Sequence, residues 1–187
     1  MTSEPDTHEA IIAETRHWLI STVIGLNLCP FARAVHAGNR VRYVVSAAAT
    51  TAELVDDLEH ELQFLERADS DETETTLLIH PLVLDEFLDY NDFLADADRL
   101  IESLQLDGVI QIASFHPQYQ FADLASADIG NYTNRSPYPT LHLLRESSVL
   151  RATQSMSDTR EIYQTNLKTM QALGLDGWLA LSKQEHR

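Results

Sequence analysis

The feature that most limits how this chain can fold is an alternation of periods. Three β-rich runs, Val41-Arg42-Tyr43-Val44-Val45, Thr75-Thr76-Leu77-Leu78-Ile79 and Val109-Ile110-Gln111-Ile112-Ala113-Ser114-Phe115, are separated by stretches whose apolar residues recur at helical spacing. Leu54, Leu58, Leu62 and Leu65 fill the first gap; Phe93, Leu94, Ala97, Leu100, Ile101 and Leu104 fill the second. A helical crossover favours parallel pairing, because an antiparallel neighbour needs only a short turn. The expected fold class is therefore α/β, a small helix-covered sheet of about three mainly parallel strands. The alternative is an α+β, ferredoxin-like split sheet with antiparallel pairs.

Helix starts are marked by a capping side chain followed three residues later by Glu, a pairing that satisfies orphan amide donors. Asp6 with Glu9, Thr50 with Glu53 and Asp158 with Glu161 have this form. The first helix carries an apolar stripe of Ile11, Trp18, Leu19, Val23 and Leu26; the last carries Ile162, Leu167, Met170 and Leu173, with Gly174 as its stop. Ser136 followed by Pro137 reads as another helix start, running through Thr140-Leu-His-Leu-Leu-Arg145-Glu146.

A chain of 187 residues suits one core, so residues 7–187 are expected to form a single globular domain behind a polar, disordered stretch at 1–6. The acidic run from Ala68 to Glu74 reads as a surface loop between elements. Thirteen basic against 29 acidic residues give a formal charge of −16, which repels phosphate backbones and anionic membranes and argues against nucleic acid as a partner. Apolar runs are far too short for a membrane span. The start of the chain lacks the basic and apolar regions of a signal peptide, and a single cysteine suits a reducing compartment, so a cytoplasmic location is expected.

Several residues could carry chemistry. The second and third strands both end in His-Pro, at His80-Pro81 and His116-Pro117. Proline stops the ladder, and on parallel strands both imidazoles would reach the carboxyl edge of the sheet and face one crevice. Cys29, followed by Pro30, would stand at the N-cap of a short helix, where free amides and the dipole lower a thiol's pKa; it could equally be an inert packed thiol. Asn131, Asn134, Arg135 and Ser136 at a helix start would form an anion pocket, with His142 and Arg145 on the following helix face. The same Asn and Ser residues also build turns by bonding their own backbone, and Arg135 could pair with one of the many acids. His80, His116 and His142, with or without Cys29, are metal-accepting types, but no two stand at a close signature spacing. His8, His17, His36, His60 and His186 read as surface residues.

The segments Gly25-Leu-Asn-Leu-Cys-Pro-Phe-Ala32, Ser114-Phe-His-Pro-Gln-Tyr-Gln-Phe121, Ile129-Gly-Asn-Tyr-Thr-Asn-Arg-Ser-Pro-Tyr-Pro139 and Leu141-His-Leu-Leu-Arg-Glu146 resemble a bacterial family, domain-of-unknown-function family 1415. The resemblance covers nearly the whole chain and implies a single domain, with no reaction, cofactor or catalytic residue. The residues themselves suggest a small-molecule enzyme acting on an anionic (carboxylate or phosphate-bearing) or peptide-like substrate. Arg135, Asn131 and Asn134 would hold the anion, His116 or His80 would act as general base, and Cys29 would be a nucleophile. A His/Cys metal-binding protein and an acidic protein-interaction module are the alternatives. No cofactor is assigned, and nothing in the spacing requires an oligomer.

Overall fold

A computed structural model describes residues 7–153 and 159–182. The capping pairs proposed at Asp6 and Asp158 depend on residues outside that range, as do the terminal stretch 1–6 and His186. The third pair is present in full: Thr50 accepts the Glu53 amide while the Glu53 carboxylate accepts the Thr50 amide.

In chain order the elements are α1 (Thr7–Trp18), a π-helical turn (Leu19–Ile24), α2 (Ala32–Ala37), β1 (Val41–Val45), α3 (Thr51–Arg67), β2 (Thr75–Ile79), α4 (Phe87–Ser103) and β3 (Ile110–Phe115). A 3-10 turn (Ile129–Asn134), β4 (Thr140–Arg145), α5 (Glu146–Thr153) and α6 (Thr159–Ser182) follow. The fold is mixed α and β, with one four-stranded sheet ordered β1-β2-β4-β3. β1 and β2 are parallel, and β4 is antiparallel to both β2 and β3. The three strands found by periodicity are thus codirectional, as expected. The sheet is not strictly parallel, because β4 separates β2 from β3 and turns β2-α4-β3 into a split unit with antiparallel pairs on both sides of β4.

The segment expected to continue as a helix from Ser136 is this fourth strand. Its sequence, Thr140-Leu-His-Leu-Leu-Arg145, contains the apolar spacing of a helix and the burial of a central strand, and a short buried run cannot be assigned by period alone. Pairing on both edges decides in favour of β. Pro137 and Pro139 lie before the strand, where a missing amide costs no ladder bond.

Alternate residues of the sheet feed two cores. Leu78, Leu141, Leu143 and Ile110 pack with Leu54, Leu58 and Leu62 of α3 and Phe93 and Ala97 of α4. On the other face Val41, Tyr43 and Phe115 pack with Trp18, Leu19, Val23, Ile24 and Ala32. A bidentate ion pair from Arg42 to Glu61 fastens β1 to α3, with bonds of 2.8 and 3.0 Å. Gly174 stops the long helix as expected, with φ 65° and ψ 175°, a conformation open essentially only to glycine; the chain then resumes helix to Ser182.

Tyr90 of α4 closes one end of the sheet. Its hydroxyl donates to the Thr140 carbonyl at 2.9 Å and accepts the Phe115 amide at 3.1 Å, bridging β4 to β3 where both meet the loops. Tyr90→Phe would leave both buried backbone groups unpaired, which costs about 1–3 kcal/mol. Urea unfolding should show that loss as a lower midpoint with an unchanged slope; an unchanged midpoint would remove Tyr90 from the closing role.

Candidate functional site

The two His-Pro residues do reach the same edge of the sheet. The His80 amide extends the β2–β4 ladder by one bond, to Pro139 O at 3.0 Å, and the His116 amide donates to Asn134 O of the 3-10 turn at 3.2 Å. Both rings then pack on Tyr90, with centroids 5.7 Å from it for His80 and 5.0 Å for His116. No open crevice lies between them, since each residue is fully buried. His116 accepts the Gln118 amide at Nδ1 and donates from Nε2 to Leu84 O, so both of its nitrogens are spent. His80 donates from Nδ1 to Val83 O, which leaves Nε2 as a buried lone pair without a partner. Burial pushes His80 down to about 4 and lowers His116 as well, so both rings are neutral at pH 7. They terminate strands and pack a core, and the general-base role expected of them lacks access.

His142 stands elsewhere. It is in mid-strand, opposite Leu77 and Ala113, on the sheet face that meets α1 and α2. Thr75 donates its hydroxyl proton to Leu143 O at 2.5 Å and must therefore accept at 2.7 Å from His142 Nε2, which fixes the tautomer. Burial holds His142 at about 4. The three histidines thus occupy opposite faces of the sheet and do not converge. Among the described residues no group of three or more His, Cys, Asp or Glu side chains could hold a metal ion.

Cys29 precedes α2 by two residues and is not its N-cap, a position that Phe31 occupies. The Phe31 and Ala32 amides do point at the sulfur, but burial outweighs them and the thiol is raised above its ordinary value. Cys29 shares with His142 a partly open cavity of about 40 Å³, whose wall also includes Trp18, Val23 and Phe115. On its other side it borders an open groove with Phe121, Asn134 and Tyr163.

The Asn/Arg segment resolves into two kinds of residue. Asn131 is fully buried and builds the loop, accepting the Phe121 amide and donating to the Ala125 and Ser126 carbonyls. Asn134 donates to Ser114 O and accepts from Thr133, pinning the turn to β3. Arg145, placed on the expected helix face beside His142, instead ties the end of β4 to the Ala68 and Thr73 carbonyls. Arg135 and Ser136 differ, because both line an open cleft of about 280 Å³. Arg135 lies over the Tyr132 ring, 3.9 Å from its centroid. Of its five N–H donors, one goes to Tyr119 O and one to Ser126 O, leaving three without a described partner. No described ion pair engages it.

The rest of the cleft was not legible as a site. Glu14, His17 and Trp18 of α1 form one wall with Ser21 and Thr22 of the π-helical turn, and Trp178 of α6 closes the other against Tyr132. His17, expected on the surface, is half-buried here with Nε2 3.3 Å from Leu181 O. Glu14 accepts the Tyr138 hydroxyl. The π-helix widens the turn so that Ser21 and Thr22 face the cleft while Leu19 and Val23 face the sheet, and such turns recur at functional sites. Gly25 is required at its exit, because a Cβ there would stand 2.1 Å from the Ser21 carbonyl oxygen. The visible signal was the pair Ser21-Thr22 interrupting the apolar run Trp18-Leu19-Ile20…Val23-Ile24.

The segments carrying the family resemblance therefore meet on one side of the fold, around this cleft and the Cys29 groove. A family model described as protein of unknown function (DUF1415) matches residues 10–180. The chain belongs to the DUF1415 family. Comparison with curated proteins and with solved structures gave no match. Among the described residues of this DUF1415 protein no helix is long and apolar enough to cross a membrane.

The burial of His80 fixes the sign of a pH effect. The unfolded ring takes up its proton as pH falls through 6.5, the folded ring only near 4. Stability should be level above about pH 6.5 and fall as pH drops towards 4, with His80 contributing on the order of 3 kcal/mol of that loss. His142 adds to it in the same direction. Unfolding midpoints measured across this range should show a shallower slope in His80→Gln; equal slopes would mean that the ring titrates freely.

Proposed function

We propose that this DUF1415 protein binds a small organic anion, carboxylate or phosphate-bearing, in the cleft between α1, the π-helical turn, the 129–139 loop and the end of α6. The observation that carries the reading is Arg135. Its guanidinium is oriented by two backbone carbonyls and an aromatic face, keeps donors free, and has no described carboxylate partner in a chain with 29 acidic residues. A fork of donors held in this way suits a carboxylate or phosphate oxygen pair, and it costs little further ordering when the anion arrives.

Tyr132, Trp18 and Trp178 supply apolar walls for the body of the ligand, while Ser21, Thr22 and Ser136 supply hydroxyls. A mostly apolar cleft with a few fixed polar groups is the usual build of a small-molecule site. For a reaction there, the carboxylate and the imidazole that line the cleft are Glu14 and His17, and proton transfer falls to them rather than to His80 or His116.

Both tryptophans of the chain line this cleft, so tryptophan fluorescence responds to its occupancy. Titration with acetate, butyrate, benzoate and inorganic phosphate should give saturable quenching by at least one of them. Arg135→Gln should raise that Kd by about tenfold or more, the value of a charge-assisted hydrogen bond pair. Saturable binding that survives Arg135→Gln unchanged, or no saturable response to any of the four, contradicts the reading.

A further inference from the structure

The cleft does not end at Trp18. Trp18 also lines a second, partly open cavity of about 40 Å³, which lies against the sheet face of β1, β2, β3 and β4. The accessible wall of the cavity is almost wholly hydrocarbon, from Leu19, Val23, Val35, Val41, Leu77 and Phe115. Its polar neighbours are largely committed: the Thr75 hydroxyl binds Leu143 O and the His142 ring, and the Cys29 sulfur faces the Phe31 and Ala32 amides. A bound water needs two to four polar partners, so a cavity with a wall of this kind favours an apolar occupant over water. Allowing roughly 10–15 Å³ for each water-sized group, it holds about three.

Trp18 is the residue that lines both the cleft and the cavity. Trp18 is buried, with its edge against Phe115 at 5.2 Å, and its indole N–H has no acceptor. Packing alone holds it, with no hydrogen bond to break when the ring turns. The π-helical turn directly after it contributes residues to both spaces, Ser21 and Thr22 to the cleft and Leu19 and Val23 to the cavity.

We infer that the ligand of the Arg135 cleft is a short-chain carboxylate, whose head stays on the guanidinium and whose hydrocarbon end displaces Trp18 and fills the cavity behind it. This rests on the reading of the cleft as an anion site and names the class of anion. Neither the neutral His142 ring nor the protonated Cys29 thiol offers a charge to an ionised head, so the polarity of the two spaces orients the molecule in one way only. Ala32, at the start of α2, lines the cavity, and a larger residue there would occupy the space that the ligand needs.

The test is a series of straight-chain carboxylates from acetate to octanoate, followed by tryptophan fluorescence and calorimetry on wild type, Arg135→Gln and Ala32→Leu. In wild type, Kd should fall about fourfold for each of the first few methylenes, as full burial of a methylene implies, and level off once roughly three are inside. Ala32→Leu should bind acetate as wild type does and lose the gain with length. Arg135→Gln should weaken every member alike. Equal affinities along the series, with Arg135→Gln still weakening them all, overturn the cavity assignment and leave the anion site standing; no Arg135-dependent binding of any member overturns both. Should Ala32→Leu fail to fold, the wild-type length series decides by itself.

Discussion

The insertion of β4 between β2 and β3 is the constraint on which the rest of this structure depends. Thr140 pairs with Ile79 on one side and Phe115 on the other, so the ends of two codirectional strands are brought level by a third running against them. The chain between β3 and β4 must then leave the sheet and return to it at one edge. It does so through the 116–139 segment, whose turns are closed by Asn131 and Asn134 and whose return is sealed by the Tyr90 hydroxyl. Arg135 and Ser136 are carried to the α1 face as a consequence of this closure, and Pro117 and Pro137 flank them in the same cleft.

Desolvation decides the roles of the ionisable groups. His80, His116 and His142 all sit where charging would cost more than their hydrogen bonds return, so each is a neutral ring serving the fold. Cys29 is held as a thiol by the same effect, although two amides oppose it. Arg135 is set among a ring face, two backbone carbonyls and the open cleft, and no described carboxylate pairs with it.

The sequence made α3 and α4 legible through their helical period, and the three codirectional strands through runs rich in Val, Ile and Thr. It concealed β4, whose Leu-His-Leu-Leu stretch lacks such residues and follows two prolines that resemble a helix start. That one misreading moved His142 and Arg145 onto a helix face beside the anion pocket, when alternation along a strand puts His142 over the sheet and Arg145 at its far end. The His-Pro ends were placed at the correct edge, but both rings pack on Tyr90, and His116 also on Phe87, residues that lie before the apolar stripe read from Phe93 onward. Arg135 and Ser136 were read as part of an anion pocket, and both line an open cleft. Its other walls, at Trp18, Ser21, Thr22 and Trp178, come together only through long-range packing of α6 on the 129–134 turn, about which local spacing says nothing.

The most direct measurement is a crystal structure of this DUF1415 protein grown with butyrate. The account predicts the carboxylate on the free Arg135 donors, its chain directed at Trp18, and the ring shifted from its contact with Phe115. A butyrate bound elsewhere, or Arg135 closed by a carboxylate of the chain itself, would contradict it.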